Sequence, residues 1–200
     1  IAPGLIAMIQ LFNGMQSSLS MVYDREMGSM KTMLVSPIPR WFLLCSKLFA
    51  GVFVSILQVY AFLLIASFWD IIPPVSGYFT ILPALIISGL MLGALGMFLS
   101  SAIKQLENFA GVMNFVIFPM FFASSALYPL WKIEETSEWL YLVCFYNPFT
   151  YAVESIRFSL YSQINFEYSA GIIIFTLIFL FLSIMGYDPS RGNLQKKGGK

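Results

Sequence analysis

Five long apolar runs divide this chain of 200 residues, and they constrain its fold more than any other feature. They span residues 1–22, 42–69, 79–102, 109–130 and 168–187. A helix needs about 20 predominantly apolar residues to cross a bilayer. Every run reaches that length, and none alternates in segments of about 10 residues as the strands of a membrane barrel do. The pattern predicts an all-α, polytopic helical membrane protein. Charge agrees with this: charged residues make up 10% of the chain, against about 25% in soluble domains.

The stretch between the first two runs, YDREMGSMKTMLVSPIPRWFLLCSK, carries Arg25, Lys31, Arg40 and Lys47. Asp24, Arg25 and Glu26 read as the start of a short amphipathic element within a loop over residues 23–41. Pro37 and Pro39 end that element, because proline lacks an N–H donor and fixes its own φ. A short helix lying at the membrane surface is a part that a cytosolic partner can push.

Lys and Arg concentrate in short cytoplasmic loops. The loop at residues 23–47, Lys104 and the tail at residues 188–200 hold nine basic residues, and the opposite side holds Lys132 and Arg157 alone. This split predicts a cytoplasmic loop and a cytoplasmic C-terminal tail in a multi-pass protein of the cell inner (plasma) membrane. Tyr and Trp at the run ends suit interfacial belts. With the tail inside, five runs place Ile1 on the outer side, so the expectation is a preceding segment holding one more span, six in the complete chain.

Several chemistries are excluded by composition. The chain has no His, which removes His-based metal sites and Ser-His-Asp catalysis. No GxxxxGK[ST] loop is present for nucleotide. The basic residues form no single patch for nucleic acid. Cys45 and Cys144 fall at different membrane depths and read as small apolar groups. No catalytic residue and no metal ligand is expected.

Polar residues inside the runs are few. Gln10, Asn13, Ser17 and Ser20 share an arc of roughly 80° at 100° per residue, and Gln16 widens it to about 120°. The arc reads first as interhelical hydrogen bonding and second as a polar stripe on a substrate path. Gln10, Asn13, Ser17 and, on the fourth run, Asn114 are the candidate path residues. Gly89 and Gly93 form a GxxxG suited to close helix packing. No charged residue falls near the centre of any run, whereas ion-coupled carriers keep one there.

The outer region, residues 131–167, is too apolar for a solvated loop. Asn147-Pro148 breaks it, and Glu154 and Arg157 stand three apart, where helical residues pair. Two short helices entering the membrane and returning, their backbone satisfied inside protein, fit this composition.

The pattern Arg25-Glu26-x-Gly28-(x)5-Leu34-x-x-Pro37-Ile38-x-Arg40-(x)6-Lys47 resembles the cytoplasmic loop of type-2 ABC exporter permeases. Leu127-Tyr128-Pro129-Leu130, Asn147-Pro148-Phe149-Thr150-Tyr151 and Glu154-x-x-Arg157 resemble that family's outer re-entrant region. The resemblance implies a non-enzymatic permease subunit that pairs with a second permease copy, as homodimer or heterodimer, in the lipid bilayer. It also implies separate ABC ATPase subunits that carry ATP and Mg, with no cofactor in this chain. Arg25, Glu26, Lys31, Pro37 and Arg40 would then couple to the ATPase, and Asn147, Pro148, Glu154 and Arg157 would form the outer cap. A secondary carrier or channel, or a non-transporting membrane scaffold, are the alternative classes.

Overall fold

The computed structural model describes residues 2–28, 40–68, 75–103 and 105–186. Among them are eight helices and no strand: α1 (Ala2–Glu26), α2 (Arg40–Ser67), α3 (Val75–Ala102), α4 (Leu106–Phe122), α5 (Leu130–Thr136), α6 (Glu138–Tyr146), α7 (Pro148–Leu160) and α8 (Phe166–Gly186). Helix is the outcome expected of apolar runs in lipid, where every backbone N–H and C=O must be satisfied within its own segment. Four helices, α1, α2, α3 and α8, are long and apolar enough to cross a membrane. This is a polytopic helical membrane protein, as the runs predict.

Three local boundaries differ from the sequence reading. The run at 109–130 is helical only as α4, whose 17 residues span about 25 Å. Beyond Phe122 the serines compete with the helix: Ser124 Oγ donates to Phe121 O at 2.6 Å and accepts from Ala126 N at 3.2 Å. Asp24, Arg25 and Glu26 do not open a separate element. They continue α1, since nothing breaks the helix before Gly28, whose φ of 80° is the left-handed conformation that ends it. The outer region holds three helices rather than two, and α7 enters the bundle.

Small residues bring the centre together. A Cβ on Gly14 would lie 3.0 Å from the Gly93 Cα, and one on Gly96 would lie 2.7 Å from Gly14 O. The GxxxG of α3 thus faces α1, and α2 closes on the same glycines through Leu48 and Val52. Ile6, Ala7 and Leu11 of α1, Ile81 and Leu85 of α3, and Phe149, Val153 and Ile156 of α7 form one fully buried cluster. The α7 helix lies in this core because its length carries small or apolar residues on all sides but one.

The two ends of the bundle are distinct. At one, Asp24 pairs with Lys47, Glu26 meets Leu106, and Gly186 packs on Ser101. At the other, Gly4 packs on Ala126, Ser76 bonds Ser162 at 2.7 Å, and Thr80 Oγ1 donates to Ser159 O at 2.7 Å. The C-terminal ends of α1 and α8 therefore lie at the same end of the bundle.

Candidate transport and coupling sites

The first candidate site is the root of the α1–α2 connection. Arg25 lies in the last turn of α1 and Arg40 opens α2. Lys31 and Pro37 lie outside the described residues. The described root is tied in two places. Lys47 of α2 pairs with Asp24 of α1, both side chains less than a third exposed. The Glu26 carboxylate accepts from the Leu106 backbone N–H at 3.2 Å, at the first turn of α4. Neither tie was legible from the motif, because each partner is distant in sequence.

The second candidate site is the polar arc of α1, which the fold splits. Gln10 is 1% exposed and fully engaged: its Nε2 donates to Leu85 O at 2.7 Å, and its Oε1 accepts from Ser88 Oγ at 2.6 Å. Ser17 faces Gly51 in a crevice of about 10 Å³ that Gln10, Ser55, Gly89 and Gly93 also line. That volume holds about one water, so this side of the arc is packing. Asn13 points the other way. Its Nδ2 donates to Gln58 Oε1 at 2.6 Å and to Ile9 O at 2.9 Å.

Asn13, Gln16 and Gln58 line an open groove of about 390 Å³ between α1 and α2, with Leu5, Met8, Phe12 and Phe62 as apolar walls. Asn114 is exposed on α4 and lines neither space. Gln58 was missed in the sequence, although it is the single Asn or Gln in the run at 42–69. An isolated amide in an apolar span was the available signal.

The third candidate site is the outer cap, where the four predicted residues come together. Asn147 joins two helices. Its Nδ2 donates to Met120 O at 2.8 Å and Ala123 O at 2.7 Å, at the end of α4, and its Oδ1 accepts from Phe149 N at 3.0 Å as the N-cap of α7. Pro148 occupies the first position of α7, where no N–H is needed. Glu154, 4% exposed, pairs with Arg157, and Arg157 Nη2 also donates to Ser125 O at 2.6 Å. Thr150 Oγ1 accepts from Ser125 N at 3.4 Å. One short turn, residues 123–126, is thus held by Asn147, Thr150 and Arg157 together.

Among the described residues no cluster of His, Cys, Asp or Glu is arranged to hold a metal ion. Cys144 of α6 is buried against Leu130 and Ile133, and burial pushes its thiol pKa up. Less thiolate at neutral pH means slower attack. We expect Cys144 to resist alkylation at pH 7.5 in the folded protein and to react promptly once denatured, read by mass spectrometry of labelled peptides. Prompt labelling in the folded state would show that α6 does not stay packed.

Among the described residues, eight helices with a glycine-packed centre and a stapled turn at one end define a polytopic helical membrane protein. The model of the ABC-2 type transporter family matches residues 1–161. The chain belongs to that family. It is 28% identical over 184 residues to the transport permease ycf38 of Cyanophora paradoxa, covering 91% of this chain and 61% of that protein. It is 29% identical over 176 residues to ycf38 of Porphyra purpurea, covering 86% and 59%. A third relative is the multidrug ABC transporter permease YbhR of Escherichia coli K12, 31% identical over 155 residues, covering 74% of this chain and 40% of YbhR. The chain therefore spans about three-fifths of the length of the ycf38 permeases it matches.

Proposed function

We propose that this chain is the membrane-spanning part of an ATP-driven exporter, working as a dimer of permeases with separate ATPase subunits. The family match over residues 1–161 carries the reading. ATP and Mg belong to the ATPase partner in this scheme. Closure of the ATPases pushes the α1–α2 connection, and Arg25, Lys31, Pro37 and Arg40 supply the contact. The ties at Asp24–Lys47 and Glu26–Leu106 suit such a lever, because they join the connection to three helices at its root. The connection and tail face the cytoplasm of the inner (plasma) membrane, as the basic residues indicate.

Substrate passes along the amide-bearing groove at Asn13, Gln16 and Gln58 and leaves past the cap held by Asn147 and Arg157. That groove combines apolar walls with uncharged hydrogen-bonding groups, which suits uncharged amphipathic molecules. The name of the YbhR relative, a multidrug ABC transporter permease, is in keeping with it.

The test uses the complete permease with its ATPase. Arg25→Ala with Lys31→Ala is expected to weaken co-purification of the ATPase and to lower permease-dependent ATP hydrolysis by about tenfold, the scale of losing interface anchors. Membrane insertion should be unchanged, since both residues fall outside the apolar runs that insert. Wild-type association and hydrolysis in the double variant would overturn the coupling role.

A further inference from the structure

We propose that Glu26 caps α4 from across the fold, making α4 a rod that carries movement of the α1–α2 connection to the outer turn. This rests on the coupling reading above. A helix leaves its first N–H groups without intrahelical partners, and the residue at its N-cap ordinarily supplies an acceptor. The α4 helix has none of its own. Gln105 stands at that position with extended backbone and makes no side-chain cap. Its Oε1 accepts from Asn108 Nδ2 at 2.7 Å instead. The acceptor comes from Glu26, the last residue of α1, at 3.2 Å from Leu106 N. A carboxylate there also meets the positive end of the helix dipole.

The rest of α4 is lightly held. It packs mainly on α1, and Phe115 and Phe118 on its other face are exposed. At its far end, Asn147 binds Met120 O and Ala123 O, and Arg157 binds Ser125 O just beyond. A helix whose one proline, Pro119, falls in its last turn, with polar joints at both ends and mostly apolar sides between them, can shift as one piece. Glu26 is then a positioning residue: it fixes the inner joint to the element that the ATPase moves.

The cap is read by amide hydrogen exchange of the complete permease with its ATPase in nanodiscs. Glu26→Ala should raise exchange in the first turn of α4 by about fivefold, the scale of losing a helix cap. Glu26→Gln keeps an acceptor and should hold exchange near wild type. Leu106→Pro removes the donated N–H at a helix position that tolerates proline, after a residue already extended. With Leu106→Ala as the control for the lost side chain, adding Glu26→Ala to Leu106→Pro should cause no further rise. Gln105→Asp gives α4 its own cap and should restore protection to Glu26→Ala.

The rod is read at its outer end by Leu127→Cys in a background with Cys45→Ser and Cys144→Ala. Its rate of reaction with an impermeant maleimide should change when nucleotide is added. That change should be lost in Glu26→Ala and return with Gln105→Asp, a rescue that a residue acting by direct docking would not show. Unchanged exchange in Glu26→Ala would overturn the cap. Raised exchange with an intact nucleotide response at residue 127 would overturn the rod. A chain with native Glu26 whose residue 127 ignores nucleotide would overturn the coupling reading and the rod that rests on it.

Discussion

Arg157→Gln is expected to destabilise the protein by about 3 kcal/mol or more, the scale of stranding one member of a buried ion pair. Glu154 is 4% exposed, and its carboxylate would lose its cationic partner in a largely buried site. The same change removes the donor to Ser125 O, one of the bonds that hold the turn at residues 123–126. Glu154→Gln should cost less. It leaves Arg157 bonded to Ser125 O, and the substituted amide can still accept from the guanidinium. The double variant should therefore lose less than the sum of the singles. Thermal unfolding in detergent, followed by near-UV circular dichroism, measures all three. Additive losses would show that the pair does not act as a unit. Under the proposed function, export should fall in the same order, because the turn and α7 belong to the outer exit.

A second large effect reverses an ordinary rule. Gly→Ala inside a helix normally stabilises by up to about 1 kcal/mol, since glycine has the greater backbone freedom to lose. At Gly111 that gain is expected, because a Cβ there meets nothing within 4 Å. At Gly96 the sign should invert. A Cβ there would lie 2.6 Å from Ser18 Oγ and 2.7 Å from Gly14 O. The serine can rotate away, but the carbonyl belongs to the α1 backbone, so two helices must separate. Overpacking of this kind costs about 1–3 kcal/mol. The contrast between Gly96→Ala and Gly111→Ala, measured in the same unfolding assay, tests the central crossing. Equal effects at both positions would mean that α1 and α3 do not approach as closely as the structure shows.

Much of the architecture was legible because membrane folding is governed by composition. Apolar runs of spanning length have no alternative to helix in lipid, so the all-helical polytopic class followed from the runs at once. The Glu154–Arg157 pair was legible for a different reason. A pair at i, i+3 is a local contact, so it could be read without knowing its surroundings, and Asn147-Pro148 was legible as a break between helices. The end of α4 was less legible. Hydropathy continues through Leu130, and the helix stops because Ser124 bonds its neighbours and because Asn147, far along the chain, satisfies the carbonyls left open.

The polar arc of α1 shows where sequence reasoning reaches its limit. Helical spacing determined that Gln10, Asn13 and Ser17 lie on adjoining faces. It could not say what lies against each face. Gln10 spends its amide on Leu85 and Ser88, while Asn13 shares an open groove with Gln58. The same holds for Glu26, whose motif suggested a docking charge and whose observed partner is a backbone N–H of α4. Periodicity is a property of one helix and is written locally in the chain. The partner of a side chain depends on how separate helices cross, and that is decided by close approaches such as Gly14 on Gly93, which exist only once the bundle has formed.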